Sequence, residues 1–176
     1  VTLVFKPDGK RACFDLETLL AAGNSPPRTR RTWTARDFTK GPPTSSWAGI
    51  TSDPKSLESW LTAVSDHGLA VLTGLPAEEN TVTSVAELFG HVRETNYGRL
   101  FDVRAEADPI NLAYTGMALS VHTDNPYRDP VPTIQLLHCL ENEADGGDTV
   151  LVDGFNASEH LRQDDPSAFE ILTRTW

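Results

Sequence analysis

Asn111-Leu-Ala-Tyr-Thr-Gly-Met-Ala-Leu-Ser-Val-His-Thr-Asp124 ends an apolar segment with a histidine and an aspartate two residues apart. In an extended strand residues i and i+2 share a face, so His122 and Asp124 are expected to present an imidazole and a carboxylate side by side. That is two thirds of a metal site. The mixed nitrogen and oxygen set suits a redox-capable divalent metal such as iron(II), often held by two histidines and one carboxylate with open positions left over. His-x-Asp alone is a common pattern, so the flanking sequence has to carry the reading.

Toward the C-terminus, Pro126, Pro130 and Pro132 exclude a helix and imply a loop or edge excursion. Thr133-Ile-Gln-Leu-Leu-His-Cys-Leu140 then reads as a strand, with Ile134, Leu136, His138 and Leu140 on one face and Thr133, Gln135, Leu137 and Cys139 on the other. His138 in that row is either a ligand or a pocket-wall histidine, and the latter is the simpler reading. Asp145-Gly-Gly-Asp148 is a turn, and Thr149-Val-Leu-Val-Asp153 is a further strand closed by Gly154. Asn156-Ala-Ser-Glu159 has the form of a capping box opening a helix that carries a solvent-facing His160. Asp165-Pro166 opens another, with Phe169, Ile171 and Leu172 on its apolar side.

Toward the N-terminus, residues 93–103 hold Tyr97 and Phe101 in a polar, glycine-containing setting. Two such rings either pack locally or cage a quaternary ammonium, whose charge the ring quadrupole attracts. Leu57, Trp60, Leu61 and Val64 repeat at helical spacing behind Ser52-Asp-Pro, and Gly68 stops that helix. A short buried strand is expected at residues 69–73, and a second helix at 81–90 with Val82, Val85, Leu88 and Phe89 inward. His67 and His91 fall at the ends of these two helices, where an imidazole commonly serves the last carbonyls. Residues 24–46 read mostly as loop, and the first fourteen as a hairpin about Pro7-Asp8-Gly9, followed by a short helix ending at Gly23. Arg28, Arg30, Arg31, Arg36 and Lys40 read as a solvated loop face.

The 176 residues, 39% hydrophobic and 23% charged, suit one main domain with appendages. A formal charge of -10 disfavours nucleic acid and is compatible with a cationic or zwitterionic small molecule. Cys13 and Cys139 form no framework and no metal clip, no apolar run reaches membrane-helix length, and the first residues lack a signal-peptide layout. A cytoplasmic protein without a membrane partner is the expectation, and self-association stays open.

Four blocks carry more than composition does: Asn111-Leu-Ala-Tyr-Thr-Gly, Leu119-Ser-Val-His-Thr-Asp-Asn-Pro, Gln135-Leu-Leu-His-Cys-Leu and Gly146-Gly-Asp-Thr-Val-Leu-Val-Asp-Gly-Phe-Asn. Together, in this order, they resemble the gamma-butyrobetaine and trimethyllysine dioxygenases, of the taurine-dioxygenase-like branch of iron(II)/2-oxoglutarate oxygenases. The resemblance runs over about residues 57–176. It implies an α+β, mainly β fold: a double-stranded beta-helix, or jelly roll, with flanking helices. Residues 1–46 would form the N-terminal hairpin, short helix and loops, and 47–176 the first part of the oxygenase domain.

By the same resemblance His122 and Asp124 match the first two iron ligands, and Thr149 matches the hydroxyl partner of the 2-oxoglutarate carboxylate. Asn111 and Tyr114 match residues that hold the substrate's carboxylate, and Tyr97 and Phe101 match the trimethylammonium cage, where the second ring is usually tryptophan. The implied activity is hydroxylation of a small quaternary-ammonium substrate with O2 and 2-oxoglutarate, giving succinate and carbon dioxide. No structural zinc is implied. No residue matches the family's distal histidine ligand or its 2-oxoglutarate-pairing arginine, which are expected beyond Trp176, as for a fragment of a longer enzyme. The alternatives are a non-catalytic ligand- or partner-binding module retaining half of the fold, and a different jelly-roll metalloenzyme.

Overall fold

A computed structural model describes residues 1–7, 9–23, 31–95, 97–109, 112–143 and 145–175. The chain divides into two compact units, Val1–Arg31 and Thr32–Trp176. In the first, strands β1 (Thr2–Val4) and β2 (Arg11–Cys13) pair antiparallel with Leu3 opposite Ala12, as the hairpin reading expects. Asp8, in its turn, lies outside the described residues. Helix α1 (Leu16–Gly23) follows. Asp15 caps it by accepting the Thr18 N–H at 2.9 Å and hydroxyl at 3.1 Å. These donors, the backbone one first, stabilise the anion and lower its pKa.

The second unit is built on a helix pair. Ser46 caps α2 (Trp47–Ser52) by accepting the Gly49 N–H. Asp53 then caps α3 (Pro54–His67) by accepting from the Lys55 and Ser56 backbones, with Pro54 in the first turn where its missing N–H costs nothing. Gly68 ends α3 in the left-handed region, φ +73°, and its N–H reaches the Val64 carbonyl. The face marked by Leu57, Trp60, Leu61 and Val64 packs inward as its spacing implies.

The buried centre is Ile50, Trp60 and Val85, with Trp47, Ala70, Leu72, Leu75, Phe89 and Leu136 around it. Val85 comes from α4 (Thr81–Ala86), a shorter helix than residues 81–90 suggested. Beyond it the chain turns so that Phe89 tilts onto Trp60, 5.3 Å between ring centres, while Leu88 stays exposed instead of pointing inward.

Of the expected loop at 24–46, residues 24–30 lie outside the described residues, and 31–46 are more ordered than a loop. Thr34 and Asp37 cap each other around a 3-10 turn, Ala35–Phe38. Strand β3 (Thr44–Ser46) pairs parallel with β4 (Val71–Thr73). Polar Thr-Ser-Ser gives no apolar alternation, so only its partner identifies β3. β4 itself is half-buried, Leu72 facing the core and Val71 outward.

His67 and His91 do not cap helices. The His67 ring stands edge-on to Phe38 at 5.4 Å with Nδ1 buried and unbonded, and exposed His91 lies five residues past α4. Trp33 closes this side of the unit. Its indole donates to the His67 carbonyl at 2.7 Å, its N–H donates to Asp153 Oδ2 at 2.8 Å, and its carbonyl accepts from Asn156 Nδ2 at 2.8 Å.

Asp153 also caps α5 (Gly154–Asp164) by accepting from Phe155 and Asn156. The helix therefore opens two residues before the expected capping box, and Asn156 is spent on Trp33 instead. Asp165 and Pro166 open α6 (Pro166–Arg174) as expected, leaving Ile171 and Leu172 exposed.

The fold is α+β. The mainly β content expected is not seen among the described residues, whose sheets are two pairs of three-residue strands. Residues 133–140, with alternating sequence, and 149–153, with an apolar run, have no ladder partner among the described residues, and sequence pattern alone does not make a strand: its amide and carbonyl groups need a neighbour. No helix among the described residues is long and apolar enough to cross a membrane.

Candidate functional site

His122 and Asp124 face each other, Nε2 to Oδ1 at 3.2 Å, with both side chains about half exposed. The other ring nitrogen, Nδ1, lies 2.7 Å from the Ser120 carbonyl. A carbonyl only accepts, so Nδ1 carries a hydrogen and Nε2 is the nitrogen turned toward Asp124, a donor to the carboxylate when the ring is protonated and a lone pair when it is neutral. In the neutral ring the two lone-pair-bearing atoms face each other, and either a proton or a metal ion can lie between them. The Ser120 carbonyl is the largest influence and raises the His122 pKa; desolvation, next in size, opposes it, and the Asp124 charge and hydrogen bond add to the rise. On the far side of the carboxylate, Gln135 Nε2 donates to Asp124 Oδ2 at 2.7 Å.

A divalent metal fits this pair. Two ligands at about 2.1 Å and a right angle stand roughly 3 Å apart, close to the separation seen, and each ligand's outer atom is already occupied as metal-bound imidazole and carboxylate groups require. Nitrogen plus carboxylate oxygen is also the donor set of open iron(II) sites. Among the described residues no three histidine, cysteine or acidic side chains converge on one point, so the pair is not completed there. His138 is half-buried and His160 is exposed on α5; neither joins it.

The two aromatic rings expected either to pack locally or to form a cage lie against each other. Tyr97 and Phe101 lie 5.8 Å apart between ring centres at 44°, and both remain partly exposed, at 44% and 46%. A tight turn makes this possible: Thr95 and Gly98 exchange backbone hydrogen bonds at 3.1 and 2.9 Å, with Gly98 at φ +90°, and the Tyr97 N–H donates to the Thr95 hydroxyl. Arg93 ties this segment to the loop after the His-x-Asp motif by donating to the carbonyls of Pro130 and Val131 at 2.9 and 3.3 Å. A cleft of about 260 Å³ lies along the junction, lined by Arg93, Glu94, Thr95, Arg128, Asp129, Pro130 and Pro132.

The remaining expected residues are not drawn together. Tyr114 ends a 3-10 turn, Leu112–Tyr114, where its carbonyl accepts the Glu106 N–H at 2.9 Å. Thr149 is exposed on the unpaired 149–153 segment. Asn111 lies outside the described residues. Among the described residues, no hydrogen bond, ion pair or ring contact joins Tyr97, Phe101, Tyr114 or Thr149 to the His122 and Asp124 pair. Sequence reasoning missed Ser120, Gln135 and Arg93 as supports.

Comparison with known proteins supplies an independent view. Residues 37–176 match the family model described as taurine catabolism dioxygenase TauD, TfdA family. A gamma-butyrobetaine dioxygenase of Pseudomonas sp. (strain AK-1) is 44% identical over 126 residues, which are 72% of this chain and 33% of that protein. The Homo sapiens gamma-butyrobetaine dioxygenase is 38% identical over 117 residues, 66% of this chain and 30% of that one. The mitochondrial trimethyllysine dioxygenase of Bos taurus is 31% identical over 180 residues, 98% of this chain and 43% of that one. The chain thus spans about a third of the length of the first two relatives and less than half of the third.

Proposed function

Because this chain belongs to the TauD/TfdA family of taurine catabolism dioxygenases, we propose that the polypeptide carrying it hydroxylates a small quaternary-ammonium, betaine-like substrate with iron(II), 2-oxoglutarate and O2. The observation that carries the reading is the convergence of His122 Nε2 and Asp124 Oδ1 at 3.2 Å with their outer atoms already held. When bound, iron(II) with 2-oxoglutarate and O2 supplies the oxidising power for C–H hydroxylation, with succinate and carbon dioxide as co-products.

The chain's own residues then have separable tasks. His122 and Asp124 hold the metal, and the Thr149 hydroxyl donates to a carboxylate of 2-oxoglutarate. Tyr97 and Phe101 receive the cationic head, and Asn111 and Tyr114 the anionic end, so the substrate is fixed at both ends and one C–H bond is presented. Phe101 gives a weaker cation-π contact than an indole would, which favours a substrate whose cation leans on Tyr97. The domain is read as a double-stranded beta-helix over residues 47–176, preceded by the hairpin, short helix and connecting segment of 1–46. A further histidine and a cation for the far carboxylate of 2-oxoglutarate come from elsewhere in the complete polypeptide.

The test is succinate release by the full-length polypeptide, with gamma-butyrobetaine, trimethyllysine and sulfonate or phosphonate betaines offered in turn. Substrate-dependent succinate with at least one quaternary ammonium compound, and none with its uncharged carbon isostere, is expected. Metal binding without succinate from any of them would instead fit a binding module.

A further inference from the structure

The oxygen of Asp124 that points away from His122 is engaged by the Gln135 amide at 2.7 Å. We propose that Gln135 is the positioning residue of this metal centre, holding Asp124 as a ligand through one oxygen only. The inference rests on the reading of His122 and Asp124 as metal ligands.

Three features carry it. The amide takes Oδ2 and leaves Oδ1 facing Nε2 of His122, so the carboxylate's rotation is set before a cation arrives. The Ser120 carbonyl does the same for the imidazole, giving each donor one occupied outer atom and one free inner atom. The next residue, Leu136, packs against Ile50, Trp60 and Val85, so the core of the helical layer fixes the backbone from which Gln135 reaches. The choice of an amide matters electrostatically. A lysine there would neutralise the carboxylate, whereas an uncharged N–H orients it and leaves its full charge for the metal. A carboxylate with one oxygen occupied also leaves free the coordination position that a chelating carboxylate would take.

The experiment is Mn(II) titration of the full-length polypeptide followed by water-proton relaxation, for the unaltered protein, Gln135→Met and Asp124→Ala. Methionine keeps the length of glutamine and removes the donor. For Gln135→Met the expected result is a dissociation constant raised about 10- to 100-fold. Relaxation per bound ion should fall, as the released oxygen displaces a metal-bound water. The metal-free melting midpoint should stay within about 2 °C of the unaltered protein. An unchanged dissociation constant, or weaker binding with unchanged relaxation per bound ion, overturns the proposal. So does a variant whose metal-free fold melts well below that range or fails to form, because the glutamine would then be structural. If the unaltered protein does not bind Mn(II), or Asp124→Ala binds equally well, the reading of His122 and Asp124 as ligands falls, and the proposal with it.

Discussion

At His122 a single hydrogen bond decides which nitrogen is available: with Nδ1 committed to the Ser120 carbonyl, only Nε2 can meet a cation. At Tyr97, proposed to receive the substrate's cation, the Thr95 to Gly98 turn likewise sets the ring's exposure before any ligand is present. Replacing Tyr97 with alanine is expected to raise the substrate concentration needed for half-maximal turnover about 2- to 30-fold, the value of one cation-π contact. Substrate-free decay of 2-oxoglutarate should persist, and measuring succinate with and without substrate checks both. Equal loss of the two activities would assign Tyr97 to folding. The residues proposed to touch metal and substrate are legible because His-x-Asp and the paired rings are patterns of residue type. Gln135 is not, because a polar residue in an alternating row does not announce which carboxylate it will meet.

Among the elements, α3 was the most legible, for every signal agreed: Asp53 and Pro54 at its start, four apolar positions on one face, Gly68 at its end. Asp53 also makes α3 pH-sensitive. The Ser56 hydroxyl first, then the backbone N–H groups of Lys55 and Ser56, lower its pKa below the ordinary 3.8. A carboxyl lowered on folding stabilises the native state above its unfolded pKa and loses that effect as pH falls through the folded value. Asp53→Ala should therefore melt lower than the parent at neutral pH, with the gap closing below about pH 4. Asp53→Asn, still a competent cap, should lose less. Melting curves at several pH values read this directly. Strand β3 and the unpaired segments 133–140 and 149–153 show the opposite case. Alternation reports which face a side chain takes and says nothing about who pairs with the backbone, so β3 pairs without an apolar pattern while 133–140 has the pattern and no ladder among the described residues.

For the Thr32–Trp176 unit as a whole, Trp33 links three distant parts of the chain by its indole, its amide and its carbonyl. Trp33→Phe should preserve the edge-on ring contact with Phe38 and the two backbone links while removing the indole donor to His67. The expected cost is about 1 kcal/mol, or about 3 °C in the melting midpoint. A larger fall would mean that the indole also supports packing. None of these links could be read from the sequence, since they join residues more than thirty positions apart. Val150, Leu151 and Val152, with Ile171 and Leu172, remain exposed, and the chain spans about a third of the gamma-butyrobetaine dioxygenases it matches. The jelly roll and the completed ligand set belong to the proposed reading, and its test uses the full-length polypeptide. The most direct measurement is anaerobic titration of that polypeptide with iron(II) in the presence of 2-oxoglutarate, watched for the visible charge-transfer absorption of the chelated metal. A saturable band that disappears in Asp124→Ala is expected. Absence of the band in the unaltered protein, or its persistence unchanged in Asp124→Ala, would contradict His122 and Asp124 as the heart of an oxygenase site.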